Sequence, residues 1–152
     1  MAQEVTLTQK EAVERLLNRD HLENVIINGI RIPNWKTDYA VMMRKIICAG
    51  NITLDGAVIN GDVYIGKAVI SGSLYLDGAE IEGNLTLSGI SIGGNLGLGN
   101  ASIKGNLYLN GATIKGVIKL ATKRGPSMIF VSPDMAELVH WSAPTIPLVV
   151  VK

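Results

Sequence analysis

Residues 83–115 read GNLTLSGISIG, GNLGLGNASIK and GNLYLNGATIK, three consecutive segments of eleven residues that share one pattern. The same spacing carries glycine through Gly50, Gly61, Gly72, Gly83, Gly94, Gly105 and Gly116. Between glycines the pattern is G-x-[ILV]-x-[IL]-x-x-A-x-I-x, and it generates four columns. The first holds Ile52, Val63, Leu74, Leu85, Leu96, Leu107 and Ile118, and the second Leu54, Ile65, Leu76, Leu87, Leu98, Leu109 and Leu120. The third holds Ala57, Ala68, Ala79, Ile90, Ala101 and Ala112, and the fourth Ile59, Ile70, Ile81, Ile92, Ile103 and Ile114.

This spacing dictates a shape. Residues i and i+2 of an extended segment share a face, so each L-x-L or A-x-I pair is a short strand with one buried side. The links between pairs must turn the chain. Glycine there is expected to supply positive φ. Asn51, Asp55, Asp77, Asn84, Asn95, Asn100, Asn106 and Asn110 crowd the same links and are expected to do likewise. Strand and corner alternating at fixed length make a coil, and coils stacked about 4.8 Å apart pair their backbones in parallel ladders.

Coil length has two solutions. An eleven-residue coil would set two sides face to face, with little room for Leu against Ile. A coil of twenty-two has four sides around one aliphatic layer. Asp55-Gly56 recurs two repeats on as Asp77-Gly78, whereas the repeat between has Gly66-Lys67, which favours twenty-two. The predicted fold is therefore an all-β, right-handed, four-sided β-solenoid, with handedness following the rule for parallel crossovers.

The segments Ala57–Gly61, Ala68–Gly72 and Ala79–Gly83, with their later copies, resemble the A-x-L-x-x unit of the pentapeptide-repeat family across residues 50–120. That resemblance implies a right-handed, four-sided β-solenoid. Here alternate sides hold six residues rather than five, a 5+6 repeat, and Ile stands where that family prefers Leu or Phe. The glycine spacing also resembles the bactofilins, polymer-forming β-solenoids. Neither likeness implies a particular activity, since both rest on core residues.

The flanks read as covers for the open ends of a solenoid. Residues 1–49 are an expected N-terminal cap, 50–122 the repeats and 123–152 a C-terminal cap. Thr8-Gln9-Lys10-Glu11 is a capping box, predicting a helix over 8–19 with Ala12, Leu16 and Leu17 on one face. Residues 24–32 match 84–92 in type and read as a detached first repeat. Residues 33–49 then read as an interrupting cap, with Trp35, Tyr39, Met42 and Met43 as core covers. Beyond the repeats, 127–131 reads as a strand. Ser132-Pro133-Asp134 starts a short helix through about His140. Ile146, Leu148, Val149, Val150 and Val151 form an apolar tail, read as a homodimer contact because it is too apolar to leave exposed. Two dissimilar caps argue against unlimited polymerisation.

The 152 residues carry a net charge of +1, which supplies no global field for nucleic acid. Lone Cys48 forms no internal disulfide, and the charged start resembles neither a leader nor a membrane span, so a cytoplasmic protein is expected. Exposed positions of the L-x-L sides hold Thr53, Tyr64, Tyr75, Thr86 and Tyr108, candidates for a binding face, although Tyr and Thr suit strand surfaces in any case. Asp55, Asp62, Asp77, Glu80 and Glu82 precede a basic stretch with Lys104, Lys115 and Lys119, reading as an acidic end and a basic end.

Asp55, Asp77, Glu80 and Glu82 are the only carboxylates placed to process a glycan or hold a hard cation, and their spacing demands neither. His21 and His140 lie far apart, Cys48 has no partner pattern, and the glycines form no phosphate loop. Neither a catalytic set, a metal site nor a cofactor is expected. The reading is a non-enzymatic binding or assembly module acting through protein–protein contacts. Three alternatives stand beside it: a glycan- or envelope-binding solenoid, a DNA mimic with too few carboxylates to replace phosphates, and a carboxylate-based glycan-processing enzyme.

Overall fold

The computed structural model describes residues 5–120, 122, 125–135 and 148–151, and it is a parallel β-solenoid. Val63 pairs with Leu85, and Leu85 with Leu107, so one coil takes twenty-two residues. Four parallel sheets form its sides. One runs through Val41–Arg44, Val63–Tyr64, Leu85–Thr86, Leu107–Leu109, Ile129–Val131 and Leu148–Val150; from its outward side chains we call it the aromatic face. The lysine face follows, through Val25–Ile27, Ile47–Cys48, Val69–Ile70, Ser91–Ile92 and Thr113–Ile114. Next is the notched face, from Ile30–Arg31 to Ile118–Lys119. The carboxylate face, from Lys36–Thr37 to Ser102–Ile103, closes the coil and lies opposite the lysine face. All four aliphatic columns point inward and are buried, except that Ile114 is only partly covered.

Two kinds of corner alternate, and they explain why the sequence repeats every half coil. The first is a two-residue turn such as Asp55-Gly56, closed by the Ala57 amide donating to the Leu54 carbonyl at 3.2 Å. Its second residue has positive φ throughout: Asn34, Lys45, Gly56, Lys67, Gly78, Gly89, Asn100 and Gly111. Positive φ at that place is the demand of a type II turn, which Gly and Asn meet at least cost.

The second corner carries the glycines that open each repeat, and its physics differs from the expectation. Those glycines do not have positive φ; they are small because the coil below is too close. A Cβ on Gly105 would lie 2.6 Å from the Gly83 carbonyl oxygen, and one on Gly72 would lie 2.7 Å from that of Gly50. From Gly72 onward the approach lets the glycine amide donate to the glycine carbonyl one coil back, as in Gly94 to Gly72 at 2.9 Å and Gly116 to Gly94 at 2.8 Å.

Of the corner Asn and Asp residues expected to take positive φ, only Asn100 does. The others mostly form ladders along the axis. Asn51 Oδ1 accepts the Ser73 amide, Ser73 Oγ the Asn95 amide and Asn95 Oδ1 the Val117 amide, each at 2.8 Å. Asp62 Oδ1 accepts the Asn84 amide and Asn84 Oδ1 the Asn106 amide, also at 2.8 Å. Corner amides that two coils cannot pair directly are satisfied by side chains instead.

Residues 33–49 are not an interruption. They supply strands to three faces in the same register, with Lys36 opposite Val58, Val41 opposite Val63 and Ile47 opposite Val69. Trp35, Thr37, Val41, Met43, Ile46 and Cys48 point inward where the next coil has Ala57, Ile59, Val63, Ile65, Ala68 and Ile70. Large Trp35 above small Ala57, and Thr37 above Ile59, keep the volume while hiding the pattern. Residues 24–32 are therefore joined to the stack and not detached. Met43 and Trp35 are core, whereas Tyr39 and Met42 are only partly buried.

The helix Gln9–Leu17 covers the first coil. Thr8 and Glu11 form the reciprocal capping box, and Ala12 and Leu16 are buried, but Leu17 points to solvent. At the other end Ile129–Val131 pairs with Leu107–Leu109, and Leu148–Val150 pairs with Ile129–Val131. Residues 133–135 are helical; the rest of the helix expected through His140 lies outside the described residues.

These two corner types respond oppositely to substitution. Gly105→Ala is expected to cost about 1–3 kcal/mol through overpacking against Gly83. Lys67→Gly is expected to stabilise by up to about 1 kcal/mol, since φ of 53 favours glycine there. Denaturant midpoints measure both. Asn84→Ala strands the Asn106 amide and should cost about 1–2 kcal/mol, whereas Asn84→Asp keeps the acceptor and most of the stability.

Candidate functional site

A rigid coil with every aliphatic column turned inward leaves chemistry to the outward positions. The Tyr and Thr residues singled out by the eleven-residue period do not form one surface. Successive repeats lie half a coil apart, so Tyr64, Thr86 and Tyr108 stand on the aromatic face while Thr53 and Tyr75 stand on the notched face. The aromatic column is extended by residues the repeat did not flag. It runs Met42, Tyr64, Thr86, Tyr108, Phe130 and Val149, each paired with the next coil and none charged.

Ring geometry divides these tyrosines further. Tyr108 stacks on Phe130 with centroids 4.6 Å apart and planes 12° from parallel, so one face of its ring is already covered. Asn106 Nδ2 donates to its hydroxyl at 3.4 Å. Tyr64 instead lies across Gly66, where a Cβ would come within 2.6 Å of the ring. Gly66 replaces a side chain and lets that ring lie against the backbone.

On the notched face the outward column is Thr53, Tyr75, Gly97 and Lys119. Gly97 and Gly99 carry no side chain there, which leaves a hollow of roughly 240 Å³ walled by Tyr75, Asp77 and Lys119. Asp77 Oδ1 already accepts the Gly99 amide at 2.7 Å, and Asp55 Oδ1 the Asp77 amide at 2.9 Å. These two candidate carboxylates therefore serve the corner ladder. Glu80 and Glu82 lie on the carboxylate face, where Glu82 pairs with Lys104 at 2.6 Å. Among the described residues no three His, Cys, Asp or Glu side chains cluster to hold a metal ion.

A concavity of roughly 640 Å³ joins the helix end to the carboxylate face, and the eleven-residue period gives no sign of it. Tyr39 donates its hydroxyl to the Leu16 carbonyl at 2.9 Å, holding the last turn of the helix. Arg19, in the left-handed region at φ 66, lies 4.9 Å over the Tyr39 ring and pairs with Asp38 at 3.2 Å. The arrangement clamps the N-terminal cap to the first coils. Tyr39 following Trp35 by four residues is the one sequence signal for it.

Charge is uneven around the axis as well as along it. The strand-and-turn segments 24–28, 45–49, 67–71, 89–93 and 111–115 of the lysine face hold Lys45, Lys67 and Lys115 and no carboxylate. Opposite, the carboxylate face holds Asp38, Glu80 and Glu82 beside Lys36 and Lys104, with Asp55, Asp62 and Asp77 at its corners. The basic N-terminal coils, with Arg31, Lys36, Arg44 and Lys45, also remove the acidic end that residues 50–124 alone imply.

Of the expected dimer contact, Ile146 lies outside the described residues. Leu148–Val150 is a strand of the chain's own aromatic-face sheet, with Val150 and Val151 exposed. His21 is exposed and remote from Cys48, and His140 lies outside the described residues. No helix among the described residues is long and apolar enough to cross a membrane. Comparison with protein-family models, curated proteins and solved structures found no match for the chain.

Cys48 is buried in the core, and desolvation pushes its thiol up, against a smaller opposing effect of a backbone hydrogen bond with Gly50. It is therefore expected to resist a thiol reagent at mildly alkaline pH until the protein unfolds. Its modification rate should follow denaturant-induced unfolding; rapid labelling of the native protein would contradict this burial.

Proposed function

We propose that the protein is a non-enzymatic binding or assembly module that presents the aromatic face to a protein partner. The observation that carries this reading is the uncharged outward column Met42, Tyr64, Thr86, Tyr108 and Phe130, continuous across neighbouring coils. Protein-binding surfaces are depleted of charge at their centre and enriched in Tyr, Phe and Met. A backbone fixed by inter-coil ladders holds these side chains with little conformational freedom to lose on binding. A cytoplasmic setting belongs to the same proposal and rests on the sequence alone.

A site-specific photo-crosslinker at Thr86 is expected to form a discrete adduct with a partner from native lysate. The same probe at Ser102, on the carboxylate face, should not. Tyr64→Arg is expected to abolish the Thr86 adduct with the denaturant midpoint within about 0.5 kcal/mol of wild type, as for other surface substitutions. An adduct that survives Tyr64→Arg, or equal adducts at both positions, would refute the aromatic-face assignment.

Exposure of Val150 and Val151 at the end of the stack favours homodimerisation as a second reading. Light scattering after size exclusion should then give twice the chain mass, and Val150→Asp with Val151→Asp should return it to one. A wild-type monomer at micromolar concentration excludes this mode of assembly.

A further inference from the structure

The lysine face combines two features that the fold itself does not require. Ile26, Ile47 and Val69 follow one another outward along the sheet, and Ile47 and Val69 are 40% and 47% exposed. Beside them, at the corner with the aromatic face, Lys45 and Lys67 occupy the positive-φ turn position in successive coils, at φ 54 and 53. Every other occupant of that position between residues 34 and 111 is Gly or Asn. A lysine there costs about 1 kcal/mol of backbone strain that glycine would avoid. The chain accepts this cost twice, in register. Strain that the fold does not need points to a use for the side chain.

Surroundings give that use a direction. Lys45, Lys67 and Lys115 are exposed, form no ion pair among the described residues, and share their face with no carboxylate. Beside the first of these corners, Glu23 is paired with Arg44 at 3.8 Å. Carboxylates gather on the opposite side, at Asp38, Glu80 and Glu82. The molecule is thus unevenly charged across its width: one flat side is cationic and aliphatic, and the far side carries more carboxylates than its two lysines, Lys36 and Lys104.

We propose that the lysine face is a peripheral docking surface for an anionic lipid bilayer. A flat cationic side seats its lysines at headgroup level, each contributing favourably to attraction by anionic lipid. Ile47 and Val69 stand beside the Lys45 and Lys67 column, placed to enter the interface, as apolar residues do in surface-bound amphipathic elements. The carboxylates then face away from the surface, which orients the rod. A second copy fits this side less well, because on its carboxylate face Asp38 and Glu82 are already paired with Arg19 and Lys104. Lipid docking is independent of partner binding at the neighbouring aromatic face and leaves that face free.

Vesicle flotation tests the proposal at about 0.05 M salt, where the screening length exceeds that at physiological ionic strength. The purified protein should float with phosphatidylcholine vesicles containing half phosphatidylglycerol and remain behind with pure phosphatidylcholine. Lys45→Gly with Lys67→Gly should weaken partitioning about thirtyfold while raising the denaturant midpoint, so that unfolding does not account for the loss. Val69→Asn should also weaken it, whereas Glu80→Gln with Glu82→Gln, on the far face, should not. Absence of flotation, equal flotation with both lipids, or unchanged binding by the double lysine variant overturns the proposal. Lysine-dependent binding to soluble polyglutamate without flotation also overturns it and identifies an acidic macromolecule as the partner.

Discussion

Close approach of one coil to the next at the glycine corners is the constraint on which the structure depends. Parallel strands two to four residues long offer few backbone hydrogen bonds each, and the corners must continue the pairing. With hydrogen at Cα, the Gly72, Gly83, Gly94, Gly105 and Gly116 amides reach the carbonyl of the glycine one coil back. The following Asn, Asp or Ser then accepts the amide that direct pairing leaves over. The Gly-Asn and Gly-Asp dipeptides of the sequence are thus a device for inter-coil bonding more than for turning.

The same device indicates where stacking stops. Asn51, Ser73 and Asn95 each accept an amide from the coil above, but the next residue in that ladder is Val117, which has no acceptor to offer. On the notched face Ile118–Lys119 is also the last strand among the described residues. The parallel ladder of Asp62, Asn84 and Asn106 gives way to Met128. At the opposite end the Tyr39 and Arg19 clamp seats the helix over the first coil, and Leu16 becomes part of the core.

Half-coil periodicity in sequence, set against full-coil periodicity in space, governs the surface. Residues eleven apart share a role in the core but point outward from different faces. Tyr64 and Tyr75 are equivalent in the repeat and lie on separate sides, whereas Tyr64, Thr86 and Tyr108 are brought into line. Each side can thus acquire its own chemistry while the interior stays uniform. The aromatic, lysine, notched and carboxylate sides differ in charge and polarity although the same aliphatic columns lie beneath them.

The sequence by itself determined the strand-and-corner order, the four buried columns and the capping box, because each is a local periodicity or contact within a few residues. It also favoured twenty-two residues per coil through the recurrence of Asp55-Gly56 at Asp77-Gly78. Tertiary structure alone decided which residues are neighbours across coils. That placed Trp35 over Ala57 and so hid residues 33–49 from a pattern built on residue type. It assigned the corner asparagines to ladders, because their partners lie a full coil away. It divided the tyrosines between two sides and added to the charge pattern read as axial a difference between the faces of the solenoid. The physical reason is the same in each case: burial is written in short-range spacing, whereas neighbourhood on the surface follows from coil length and register.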